Sequence, residues 1–202
     1  MDAKVIETVY NGYRFRSRLE ARWAVFFDAV GLPYEYEKEG FDLGEGDWYL
    51  PDFWLPSLQL WVEIKSELDF TDPENSDKFT YSSQPLLQLM RKFRDSQPWP
   101  VACIFGQPGD HRTWFFGWDM SYSSAGEYED SEAVWCISHG KVTLNVHIVS
   151  SDRDIYADSL YGPKLDHFTY ARDYGYVIEP VENAIRNARR ARFEHGEKPQ
   201  IR

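Results

Sequence analysis

Hydrophobic positions along the chain change period several times, and each change marks an element. Leu19, Trp23, Phe26, Phe27 and Val30 recur at helical spacing, the stripe that a core-facing helix presents. Ser17-Arg18-Leu19-Glu20 precedes the stripe with capping-box spacing, in which the Ser and Glu side chains satisfy backbone amides at the helix start. Gly31, followed by Leu32-Pro33, is a natural stop, so a helix is expected over residues 17 to 30. Tyr34 to Glu37 then alternates with period two, and Gly44 to Asp47 turns the chain into a second strand over Trp48 to Trp54. A third strand, Leu58 to Lys65, follows the Pro56-Ser57 turn and is apolar almost throughout until it reaches Glu63 and Lys65. Charge deep in such a strand requires a reason.

Phe70 to Ser83 is polar and reads as a loop or a helix start. Pro85, then Leu86, Leu89, Met90 and Phe93, predict a second amphipathic helix ending near Ser96, with Arg91, Lys92 and Arg94 on its exposed face. Val101 to Phe105 reads as a buried strand parallel to the third across a helical crossover. Trp114 to Trp118, Val134 to Ile137 and Val142 to Val149 predict further strands, with a polar loop over Ser121 to Glu132, and Val181 to Phe193 predicts a last helix. The expected fold class is α/β: a core over residues 1 to 120 with a mixed central sheet, and a C-terminal α+β appendage over residues 121 to 202. Whether the appendage packs as one domain with the core stays open.

Composition narrows the function classes. Hydrophobic residues at 43% and aromatics at 17% suffice for a real core and exclude wholesale disorder. No apolar run approaches the ~18 residues of a membrane span, and Met1-Asp2-Ala3-Lys4 lacks a signal-peptide pattern. A cytoplasmic protein with Cys103 and Cys136 reduced is therefore expected. The net charge of -11 opposes nonspecific adhesion to nucleic acid, but basic residues cluster at Arg14 to Arg22, Arg91 to Arg94 and Arg186 to Arg192. A local basic groove on an acidic body is compatible with that pattern.

The chemistry concentrates in three residues. Glu63 and Lys65, two apart on one strand, point to the same side. A hairpin through Pro56 would bring Asp52 beside them. Two carboxylates plus the backbone carbonyl of Ile64 would suffice to hold one Mg²⁺, or Mn²⁺ in its place, leaving positions for water and phosphate. Lys65 would then orient the nucleophile or stabilise developing negative charge.

Pro51-Asp52, ten intervening residues, and Glu63-Ile64-Lys65 resemble the signature of the PD-(D/E)XK nuclease superfamily. The predicted element order is similar to its restriction-endonuclease-like αβββαβ core, and Holliday junction resolvases and transposon-end endonucleases have the nearest flavour, because they too carry a Glu on the preceding helix. The resemblance covers residues 13 to 106 and implies Mg²⁺-dependent phosphodiester hydrolysis on DNA, with RNA not excluded, endonucleolytic action and pairing of two sites in a homodimer. It implies Asp52, Glu63 and the Ile64 carbonyl as metal ligands, Lys65 as a catalytic group, and Glu20 as an aid to metal or water binding. Glu20 also has a purely local explanation in the capping box.

Weaker candidates for nucleic-acid contact are Arg16, Arg18 and Arg22 on the first helix, Gln84 and Gln88 on the second, and Arg186, Arg189, Arg190 and Arg192 on the last. The arginines are equally explained as a solvated helix face, and the two glutamines rank below them. Cys136-Ile137-Ser138-His139-Gly140 supplies half of a zinc knuckle, but His147 and His167 stand at no matching spacing. The competing expectation from another class is an acidic binding or inhibitor protein built on a nuclease scaffold, motivated by the net charge.

Overall fold

The computed structural model describes residues 7–66, 85–116, 127–128, 132–138, 141–147 and 179–193. Its first element is a hairpin of β1 (Thr8–Tyr10) and β2 (Tyr13–Phe15). Asn11 and Gly12 at its tip both have positive φ, 47° and 85°, the turn whose twist matches paired strands. Sequence periodicity passed over this hairpin because its strands are only three residues long, although Asn-Gly was the available signal.

Helix α1 (Arg18–Ala29) follows. The Ser17 side chain caps it by accepting the Glu20 N–H. At its other end Leu32 N–H reaches the Phe27 carbonyl at 2.8 Å, Gly31 N–H reaches that of Asp28 at 3.1 Å, and Gly31 takes φ 68°. This is a Schellman stop, which glycine makes without steric strain. The expected helix over residues 17 to 30 is therefore present, flanked by its two caps.

Next come β3 (Glu35–Tyr36), β4 (Phe41–Asp42), β5 (Trp48–Tyr49), β6 (Phe53–Leu55) and β7 (Leu60–Lys65). The single strand expected over Trp48 to Trp54 is two strands. β5 pairs with β4 in a separate ribbon, the chain breaks at Leu50 to Asp52, and β6 pairs with β3 and β7. Pro51 has no N–H to give a ladder, which accounts for a break at that point. β7 begins at Leu60 rather than Leu58, because Leu58 and Gln59 close the β6–β7 turn, with Gln59 at φ 51°.

Helix α2 (Pro85–Ser96) then leads to β8 (Val101–Gln107), which runs parallel to β7 as expected. β9 (Asp110–Phe116) pairs antiparallel with β8 and carries the two-residue β10 (Glu127–Tyr128) on its outer edge. The strand expected over Trp114 to Trp118 thus starts earlier, because the β8–β9 hairpin is tight at Gln107 to Asp110. The main sheet has the order β10-β9-β8-β7-β6-β3 and is mixed, with β7 and β8 as its parallel pair. β11 (Glu132–Ser138) and β12 (Lys141–His147) form a hairpin, and α3 (Glu179–Arg190) is the last of three helices among the described residues.

Alternation along β7 and β8 gives the sheet two apolar faces. Leu60, Val62, Ile64, Ala102 and Ile104 pack with α1 and with Val181, Ala184 and Ala188 of α3. Trp61, Val101, Cys103 and Phe105 pack on the other face with Met90 and Phe93 of α2. α3 thus shares the core that α1 covers. Arg94, expected on the exposed face of α2, is instead buried at 5% exposure, its guanidinium bonded to the neighbouring Asp95. Among the described residues no helix is long and apolar enough to cross a membrane.

Candidate active site

The site grows from a mismatch between β6 and β7. In β7 the Trp61 N–H donates to the Pro100 carbonyl, toward β8, so by strand alternation the backbone groups of Leu60, Val62 and Ile64 face β6. The β6–β7 ladder pairs Leu55 with Leu60, Trp54 with Trp61 and Phe53 with Val62, and there it stops. Ile64 consequently faces a gap opposite Pro51. Asp52 fills that gap with its side chain: Oδ2 accepts the Ile64 N–H at 2.7 Å. The N–H and C=O of one strand residue project to the same side, so the Ile64 carbonyl opens toward Asp52 as well.

Asp52 continues the register to the position opposite Glu63, and Glu63 and Lys65 share the α2 face of the sheet with Trp61. Asp52 and Glu63 are buried, whereas Lys65 is partly exposed. Glu63 Oε2 accepts the Tyr49 hydroxyl at 2.5 Å, and Oε1 accepts the Lys65 ammonium. The same Tyr49 hydroxyl lies 3.5 Å from the Met90 sulfur. Arg16 Nη2 reaches Asp52 Oδ1 at 3.0 Å, while its Nε reaches Glu37 at 2.6 Å. Buried charge of this kind persists only where it is paired and hydrogen-bonded.

Glu20 stands at the start of α1 in a network of its own. Its carboxylate accepts the Ser17 hydroxyl and the Tyr36 hydroxyl, each at 2.6 Å, and the Arg16 N–H at 3.0 Å. The local capping role is thus realised, with the Arg16 N–H as the donor that the Glu20 carboxylate satisfies. The charge also acts on Asp52, whose carboxyl is held well above the usual carboxylate range by burial first, then by repulsion from Glu63 and from Glu20. Lys65 and the Ile64 N–H oppose that rise without cancelling it. Burial lowers the Lys65 ammonium, but the charge and hydrogen bond of Glu63 outweigh it and the net shift is upward. The Tyr49 hydroxyl is pushed well above its ordinary value by burial and by Glu63. Asp52 and Glu63 are thus paired with one guanidinium and one ammonium, and the charge of Glu20 reaches Asp52 without contact.

An excess of buried negative charge fits a divalent cation. Among the described residues no three His, Cys, Asp or Glu side chains converge into a ready-made cage, so an ion here would rest on Asp52, Glu63 and the Ile64 carbonyl, completed by water. Such an all-oxygen, partly hydrated set suits Mg²⁺ or Mn²⁺ and not the soft or nitrogen-seeking metals.

The remaining sequence candidates scatter. Arg18 and Arg22 are half-buried on α1, and Gln88 is exposed on α2. Gln84 and His139 lie outside the described residues, and of Cys136 only the backbone position in β11 is described. Arg186, Arg189, Arg190 and Arg192 are exposed at the end of the chain where α3 packs on the α1 face of the sheet, not on the face of Glu63 and Lys65; Arg186 is bonded to Asn183. Sequence reasoning missed Tyr49, Tyr36 and the Arg16–Asp52 pair. Tyr49 carried a signal, since a buried tyrosine needs a partner for its hydroxyl, but nothing local says that the partner is Glu63.

Comparison with protein-family models, curated proteins and solved structures yields no match.

Proposed function

We propose that the chain is a Mg²⁺-dependent nuclease that hydrolyses DNA phosphodiester bonds, most simply as an endonuclease of the PD-(D/E)XK type. The observation that carries this reading is that Asp52 stands just past the end of the β6–β7 ladder, in register with Glu63, accepting the Ile64 N–H while Lys65 is bonded to Glu63. The sequence α1, β3, β6, β7, α2, β8, with those four strands adjacent in chain order and only the last pair parallel, supports the αβββαβ core.

A bound divalent cation would supply a lowered water pKa and charge neutralisation at the phosphate. The chain's residues do the rest. Asp52 and Glu63 would hold the ion together with the Ile64 carbonyl, and Tyr49 fixes the Glu63 carboxylate so that no rotamer search precedes binding. The Lys65 ammonium, anchored by Glu63 and partly open to solvent, can orient a water or donate a hydrogen bond to oxygen as charge develops. Glu20 adds negative charge nearby while remaining locked in its cap. A homodimer and a cytoplasmic location belong to this reading as expectations, and it leaves RNA open as a substrate.

A second reading has a specific observation behind it: every oxygen of Asp52 and Glu63 already has a donor from the protein. A self-satisfied network on a chain of charge -11 suits an acidic binding or inhibitor protein on a nuclease scaffold. Incubating supercoiled and linear DNA with the purified chain and Mg²⁺ or Mn²⁺ separates the two. Cleavage lost in Glu63→Ala, with the circular dichroism spectrum unchanged, is the nuclease outcome; absence of both cleavage and metal binding in the wild type overturns it.

A further inference from the structure

Arg16 connects two carboxylates of unequal depth. Its Nη2 contacts Asp52, of which 3% of the side chain is exposed, while its Nε contacts Glu37, of which 27% is exposed, and the Arg16 side chain itself is 55% exposed. The Glu37 contact is the shorter, 2.6 Å against 3.0 Å. The backbone beneath is pinned, since the Arg16 N–H is shared between the Glu20 carboxylate and the Tyr36 hydroxyl at 3.0 Å each. An anchored backbone with a half-exposed side chain can change partners without moving the fold. Lys65 is committed to Glu63, which leaves Arg16 as the cation that meets Asp52 directly among the ion pairs described.

We infer that Arg16 is a placeholder cation: it neutralises Asp52 in the metal-free protein, yields Asp52 Oδ1 to a divalent ion, and stays tethered to Glu37 with its Nη groups free for a phosphate oxygen. This rests on the metal-dependent reading above and assigns Arg16 a positioning and phosphate-binding role within it. The planar fork of arginine suits the exchange, because one edge can keep a carboxylate while the other turns to an oxyanion. A purely structural clamp would have the opposite consequence, since Asp52 would lose its orientation along with Arg16 and hold a metal less well.

Calorimetric titration of Mn²⁺ into the full chain distinguishes these, using wild type, Arg16→Met, Arg16→Gln and Asp52→Ala. The placeholder role gives Mn²⁺ binding about tenfold tighter in Arg16→Met, with Arg16→Gln as the readout if the Met variant does not fold. Unchanged or weaker binding in the folded variant overturns it. Inorganic phosphate titrated into the Mg²⁺-loaded proteins tests the second half: several-fold weaker binding in the variant is expected, and equal binding overturns the phosphate role. Wild-type Mn²⁺ binding that disappears in Asp52→Ala, without a gain in the Arg16 variants, sinks this inference alone. No Mn²⁺ binding in any of the four proteins sinks the metal-dependent reading and this inference together.

Discussion

The two ends of α1 each hold a carboxyl group that burial pushes upward in pKa, and they solve the problem differently. At the C-terminal end Asp28 is surrounded by neutral groups: it accepts from the Asn11 amide, and the Tyr10 and Tyr34 hydroxyls act on its pKa in the same sense. All three act against the rise that burial causes. Beyond the N-terminal end Asp52 has a backbone amide and two cations nearby, yet also faces Glu63 and Glu20, and like charges add to its burial. Asp28 makes a junction between helix and hairpin. Asp52, although paired with Arg16, sits beside two further carboxylates that raise its pKa, so negative charge is in surplus there. Burial of a carboxyl group is thus a poor guide to function, whereas crowding of like charges with a cation-sized deficit is a better one.

The largest expected effect breaks this comparison outright. Asp52→Ala or Glu63→Ala is expected to reduce DNA cleavage by about three orders of magnitude or more, and Lys65→Ala by roughly a hundredfold or more, measured as initial rates in Mg²⁺. Asp28→Asn, a carboxylate with a comparable direction of shift, is expected to leave the rate within about twofold. A rate loss in Asp28→Asn equal to that in Asp52→Ala would remove the distinction between the two ends.

Metal binding gives the next contrast. Mn²⁺ at about a hundredfold over its dissociation constant stabilises the folded state by about 2.7 kcal/mol, which for a chain of this size is a rise in Tm of about 5–10 °C. Wild type and Asp28→Asn are expected to show it in a thermal melt, and Asp52→Ala to show none. Equal shifts in all three would place the ion elsewhere.

Much of this arrangement was legible before the fold. The stripe from Leu19 to Val30 fixed α1 because helical periodicity and two caps agree there. Pro85 and the apolar spacing behind it fixed α2, and Glu63 and Lys65 stood out because charge interrupts an apolar strand. Less was legible where the deciding partner is remote in sequence. The break before β6 depends on whether β7 can pair past Pro51, the role of Tyr49 on Glu63, and the burial of Arg94 on packing. Arg16 read as a surface arginine on a helix start, because nothing in its neighbourhood shows that Asp52 lies 3.0 Å away.

Hydrogen-bond donors offer an effect of intermediate size. Tyr49→Phe leaves a buried Glu63 oxygen without its donor, which costs about 1–3 kcal/mol in the metal-free protein. Added Mn²⁺ is expected to restore part of that loss, since an ion can take the place of the missing donor. Denaturant melts with and without Mn²⁺ test this, and a loss indifferent to metal would make the Tyr49 hydroxyl a structural tie like that of Asn11 to Asp28.

The smallest effect concerns pH, and its sign follows from the direction of the shifts. Asp28 and Asp52 both bind their protons more tightly folded than unfolded, where the reference value is 3.8. Stability contributed by such a group is fully present below that value and declines as pH rises through its folded pKa. The metal-free protein should therefore lose stability from these two groups as pH increases above 3.8, a trend opposite to that of a salt-bridged surface carboxylate. At Asp28 the loss is small, because the group is only half-buried and solvent screens it. At Asp52 the decline continues to higher pH, because Glu63 and Glu20 add to the burial. Asp28→Asn should flatten the low-pH part of a plot of Tm against pH and Asp52→Asn the later part, with Mn²⁺ abolishing only the second. If Mn²⁺ leaves the later decline unchanged while Asp52→Asn removes it, the charge surplus at Asp52 is real but no metal relieves it, and the self-satisfied scaffold becomes the better account of this fold.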